Sequence, residues 1–90
     1  GIFSGAPKGT ATIVFNAKIA RWVADEHWHS QQQDRFLPDG RFERKVPYSA
    51  PRELLMDILH YGPDAEITEP PALREQMKSM LELAVSNYQK

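Results

Sequence analysis

No cysteine occurs in these 90 residues, which excludes disulfides, thiolate metal sites, iron–sulfur clusters and a cysteine nucleophile. An excess of charge of one sign is missing too. Lysine and arginine number 11 against 12 carboxylates, a formal net charge of −1, so the chain as a whole does not attract polyanions. Contact with nucleic acid would need a local basic patch or another domain. No apolar run approaches the roughly 20 residues that span a bilayer. A basic-then-apolar leader is absent as well, and a soluble, cytoplasmic setting is the default expectation. There is no Gly-rich phosphate loop and no nucleophile elbow, and carboxylates such as Glu53, Asp57 and Glu66 are scattered. We therefore expect a protein that is not an enzyme and uses no cofactor.

What is present suits one domain with one modest core: 41% of the residues are hydrophobic and 26% charged, ordinary values for a globular protein. The chain opens on Gly1 instead of Met and reads as a segment of something longer. "GIFSGAPKG", residues 1–9, holds three glycines and a proline and reads as a linker or arm before a domain over 10–90. Ile2 and Phe3 do not suit a solvated linker; we expect them to pack on this domain or on the rest of the parent chain.

"TATIVFN" alternates as a strand, with Ala11, Ile13 and Phe15 on one face and Thr12 and Val14 on the other. Asn16 can then cap a helix over "AKIARWVADEH", whose spacing predicts a buried stripe of Ile19, Trp22, Val23 and Glu26. "LPDGR" suits a type I turn with Pro38 and Asp39 central and Gly40 left-handed. That turn sets Phe36 opposite Phe42, Arg35 opposite Glu43, Asp34 opposite Arg44 and Gln33 opposite Lys45. The predicted buried face holds Phe36, Phe42, Val46 and Tyr48; the wet face holds Gln33, Arg35, Arg41, Glu43 and Lys45. Opposite charges meet across the pair, worth ~0.2–1 kcal/mol each.

"SAPRELLMDILHYGP" is a helix punctuated by Pro51 and by Gly62-Pro63, with Leu54, Leu55, Ile58 and Leu59 inward. "DAEITE" is a short strand with Ala65 and Ile67 facing in. The final helix carries an apolar stripe of Leu73, Met77, Met80, Leu81, Ala84 and Tyr88, longer than two other helices can cover, which points to a partner chain or domain. The order β-α-β-β-α-β plus a helix, with right-handed crossovers, predicts a ferredoxin-like α+β sandwich with strand order 4-1-3-2.

The stretch "DEHWHSQQQDRF" offers the sharpest chemistry. His27 and His29 flank Trp28, but a zinc site needs at least three protein ligands and His60 lies far along the chain. We read a helix exit in which Trp28 anchors the loop, with no metal. "GRFERKVPY" has a faint likeness to an RNA-recognition strand, yet the hairpin register puts Phe42 and Tyr48 in the buried set, leaving no stacking platform. Arg35, Arg41 and Lys45 remain on the open face as a solvated set.

Taken together, "GIFSGAP", "ARWVADEHWHSQQ", "LPDGRFERKVPY" and "RELLMDILHYGPDAEITEPPALR", followed by a last helix, resemble the C-terminal extension, called WCX, of WYL-domain transcriptional regulators. The resemblance covers nearly the whole chain. Its marks are Ala20-Arg21-Trp22, Trp28-His29 with a glutamine soon after, Asp39-Gly40, Glu53-Leu54, Tyr61-Gly62-Pro63 and Pro71-x-Leu73-Arg74. Ser30 departs from it, standing where such sequences commonly carry proline. The resemblance implies a parent with an N-terminal winged helix-turn-helix on DNA, a central WYL domain that senses an effector (nucleic acid or small molecule), and this extension helping to build a homodimer. It implies no DNA-reading element within these 90 residues. Weighing both lines, we expect Trp22 in the core and an interface- or effector-facing set of Arg21, Trp28, His29, Gln32, Arg35 and Arg41. A small-ligand-binding ferredoxin-like regulatory domain is the alternative. An acylphosphatase-like enzyme would share the strand order, but "FNAKIA" lacks the glycines of a phosphate-cradling loop.

Overall fold

The strand expected at "TATIVF" is an interior strand of the sheet, paired along both of its edges. In a computed structural model, which describes residues 2–3 and 5–90, the elements are β1 (Gly9–Phe15), α1 (Ala20–Ala24), β2 (Gln33–Phe36), β3 (Phe42–Tyr48), α2 (Pro51–Leu59), a 3-10 turn (Gly62–Asp64), β4 (Ala65–Glu69) and α3 (Pro71–Ser86). The four strands make one antiparallel sheet in the order β2-β3-β1-β4, the order expected from the sequence. The fold is mixed α+β with three helices.

The hairpin register follows from its turn. Gly40 takes φ 92°, its N–H donates to Leu37 O at 3.0 Å, and Leu37 N–H donates to Arg41 O at 2.7 Å. The loop closes with the left-handed residue the "PDG" chemistry demands. Phe36 then faces Phe42, Arg35 faces Glu43, Asp34 faces Arg44 and Gln33 faces Lys45, as the turn dictates.

One core forms on one side of the sheet. Ala11, Ile13 and Phe15 of β1, Phe42, Val46 and Tyr48 of β3 and Ile67 of β4 meet Ala20 and Val23 of α1, Leu54, Leu55 and Ile58 of α2, and Leu73 and Met77 of α3. The strand residues share parity, so the apolar face is continuous, and Thr12, Glu43 and Lys45 fall on the opposite face. The N-terminal arm packs on this domain: Ile2 and Phe3 lie against the core, and Ile2 O accepts Ser49 N–H at 2.8 Å and the Ser49 hydroxyl at 2.7 Å.

Two sequence expectations need correction. The first helix is short: α1 has five residues, under a turn and a half. Asn16 Oδ1 does accept Ile19 N–H at 3.3 Å, but it heads a turn that precedes the helix. So short an element turns only Ala20 and Val23 inward, and Trp22 is 70% exposed instead of buried, with Glu26 also outside. Phe36, placed in the buried set, is 55% exposed. Its parity is right and its ring lies 5.0 Å from that of Phe42, but β2 is an edge strand and all four of its residues are exposed. The apolar stripe of the last helix is, as expected, longer than the rest of the domain covers: Leu73 and Met77 are buried and Met80 half-buried, while Leu81, Ala84 and Val85, and Tyr88 just past the helix, are exposed, Tyr88 at 89%.

Candidate functional site

The residue that organises the 25–34 stretch lies outside it, on β3. Arg44 alternates with Phe42 and Val46, so its side chain enters the core face, and it is fully buried. The guanidinium is held on three sides. Nε donates to Asp34 Oδ1 at 2.8 Å, and one Nη donates to Asp34 Oδ2 at 3.0 Å, to Glu26 O at 2.8 Å and to Val23 O at 3.1 Å. The Asp34 contact is a two-pronged, charge-assisted pair, and the carbonyl contacts put a cation at the exit of α1, where helical carbonyls lack partners. The second Nη is buried without an acceptor among the described residues; the guanidinium carbon sits 4.7 Å from the Trp28 ring centroid and 5.4 Å from that of Phe42, where aromatic faces supply attraction instead.

Asp34 is tuned by this clamp. Burial works against its charge, but hydrogen bonds from Arg44 and Gln32, with the charges of Arg44 and His27, outweigh that and hold its carboxyl below the ordinary carboxylate range.

The loop is also tied from within. Gln32 Oε1 accepts the backbone N–H groups of Trp28 at 2.7 Å and His29 at 3.1 Å, while its Nε2 donates to Asp34 Oδ2 at 2.8 Å and Glu26 O at 3.3 Å. Gln31 N–H donates to His29 Nδ1 at 2.9 Å. With its backbone so fixed, Trp28 packs edge-on to Phe15 (5.9 Å) and stacks near Phe3 (5.8 Å) and Tyr61 (6.4 Å). Its indole N–H donates to Glu26 Oε2 at 3.3 Å, which also accepts the Tyr61 hydroxyl at 3.4 Å. The Tyr61 hydroxyl titrates above its ordinary range, first because it is partly buried and then because Glu26 adds negative charge beside it.

Of the residues singled out by sequence, Trp28, His29 and Gln32 come together in this loop. Arg35 and Arg41 do not join them. Arg35 pairs with Glu43 at 2.9 Å and Arg41 with Asp39 at 2.8 Å, so each of these two cations has a carboxylate partner. Arg21 stands apart on α1, lining a shallow depression with Trp22, Asp25 and Phe36. Among the described residues no three His, Cys, Asp or Glu side chains gather as a metal-binding group. Sequence reasoning missed Arg44. The signal was there, since the register set Asp34 opposite it and its parity matched Phe42 and Val46.

The order of these features along the chain matches a known family: the family model of the WCX domain covers residues 7–85. The chain belongs to the WCX domain family. No curated protein matches the sequence. The match spans the whole sheet, α1, the clamped loop and α2, and reaches the last turn of α3, so the Arg44–Asp34 clamp lies within the WCX domain itself. No helix among the described residues is long and apolar enough to cross a membrane.

Proposed function

We propose that this WCX domain is the regulatory and assembly module of a bacterial transcriptional regulator, without enzymatic activity. In this reading a winged helix-turn-helix elsewhere in the parent reads DNA, a WYL domain of the same or the partner chain senses the effector, and the present domain couples the two within a homodimer. Its layout is a ferredoxin-like sandwich, consistent with the antiparallel order β2-β3-β1-β4 and the helices that follow β1 and β3. The observation that carries the reading is the family match over residues 7–85. The uncovered end of α3 and the turn after it support the reading: Leu81 and Val85, with Tyr88 just past the helix, expose apolar surface that a second protein surface would cover.

The reading is tested by fluorescence anisotropy of the 90-residue chain with duplex DNA. A net charge of −1, with Arg35 and Arg41 already paired to carboxylates, leads us to expect only weak binding that fades with salt and ignores sequence. Tight, sequence-specific binding by this chain alone would overturn it.

A further inference from the structure

Behind the clamped loop, Phe3, Glu26, Trp28, Asp57, His60 and Tyr61 line a cavity of about 280 Å³. Its wall combines three aromatic rings, two carboxylates and an imidazole, with no lysine or arginine. Ring faces carry negative potential, and a cation within roughly 6 Å of a centroid is drawn to them. The same indole already attracts the Arg44 guanidinium at 4.7 Å, so the chemistry is in use one step deeper in the fold.

The carboxylates have acceptor capacity to spare. Glu26 Oε2 takes two long hydrogen bonds, from Trp28 and Tyr61, that hold it on the wall; its other oxygen has no partner among the described residues. Asp57 has neither hydrogen bond nor ion pair among them. A carboxylate offers about four acceptor sites, so both remain open to a donor in the cavity. Two carboxylates and no lysine or arginine on the wall make the cavity a favourable place for a cation.

We infer that this cavity binds a small organic cation, a guanidinium or ammonium head group, seated on the aromatic wall and paired with Asp57 and Glu26. The volume lies just below the roughly 300–1,000 Å³ of drug-sized pockets, which favours a head group over a larger molecule. A bare metal ion is a poorer occupant, because the cavity gathers no set of three ligands. Such a head group belongs either to a free amine or to an arginine or lysine side chain of another protein surface.

The test is an NMR titration of the 90-residue chain, following the Trp28 indole N–H, with agmatine, acetyl-Gly-Arg-Gly-amide, tetramethylammonium and urea. Agmatine or the peptide is expected to give a saturable shift with a millimolar Kd. Urea, close in shape to guanidinium but uncharged, is expected to give none. Asp57→Asn, at an exposed position without partners, is expected to keep the same Tm and weaken binding about fivefold, a loss in keeping with one partly solvated charge-assisted contact. Tighter binding of the peptide than of agmatine would assign the site to a protein side chain, and the reverse order to a free amine; either supports the inference. No saturable shift with any cation, an equal response to urea, or unchanged affinity in D57N would overturn it.

Discussion

Arg44 and Asp34 stand directly opposite each other on β3 and β2, and the buried guanidinium reaches both oxygens of the carboxylate at 2.8 and 3.0 Å. This one pair joins the outer strand to the exit of α1, since the same guanidinium binds the carbonyls of Val23 and Glu26. Removing one partner of a buried ion pair leaves an uncompensated charge, at a cost of roughly 3–5 kcal/mol. The Asp34 side chain keeps a quarter of its surface in solvent, so the lower end of that range applies. Asp34→Ala and Arg44→Met are each expected to cost about 3 kcal/mol in chemical denaturation. The double variant is expected to cost about 2 kcal/mol less than their sum, because the two groups share the interaction. Strict additivity would show that the pair is not energetically coupled.

The same pair sets an acid limit. Asp34 titrates below the ordinary aspartate value in the folded state. A depressed carboxylate contributes stability that is fully present above the unfolded pKa and is lost as pH falls through the folded one. Stability of the chain is therefore expected to decline as pH drops below about 4. Asp34→Asn is expected to be less stable at neutral pH and to show a shallower decline in that window. Thermal melts from pH 6 to pH 2 read both slopes, and parallel curves would contradict the assignment.

The two tryptophans should behave oppositely. Trp28 contacts Phe3, Phe15, Tyr61 and Arg44, whereas Trp22 is largely in solvent. Trp28→Ala is expected to cost about 2–3 kcal/mol, below the usual 3–5 for a fully buried aromatic. Trp22→Ala is expected to stay within about 0.5 kcal/mol of the unchanged chain. Urea midpoints compare them, and similar losses would refute the packing described.

Gln32 acts on the loop backbone. Its Oε1 accepts two main-chain N–H groups, so Gln32→Ala is expected to cost about 1–2 kcal/mol. Amide exchange at Trp28 and His29 is expected to quicken while the β1 amides keep their protection. Unchanged exchange at both positions would remove Gln32 from this role.

Much of the fold was legible where local chemistry leaves little choice. The "PDG" turn set the hairpin register residue by residue, and the parity of Ala11, Ile13 and Phe15 placed β1 in the core. Legibility failed where an element is too short for its periodicity to decide. In the five residues of α1, Trp22 and Val23 fit a three-and-four pattern equally well, and only the tertiary contact separates them. Phe36 failed for another reason: parity gives the face of a strand, not how far the cover over that face extends, and β2 lies at its margin. In the site, "HWHSQQ" drew attention to Trp28, His29 and Gln32, which the structure brings together. Arg44 went unread although the register set Asp34 opposite it, because the carbonyls of Val23 and Glu26 that complete its buried set of acceptors come from a part of the chain no local pattern links to it.

The central proposal is that this domain works through contact with protein, using the uncovered end of α3. Sedimentation velocity on the parent regulator carrying Val85→Lys and Tyr88→Lys tests it most directly, since both positions are more than half exposed and the domain should fold unchanged. The expected result is a dimer weakened at least tenfold, with the melting of the isolated domain unaltered. A dimer of undiminished strength would contradict it.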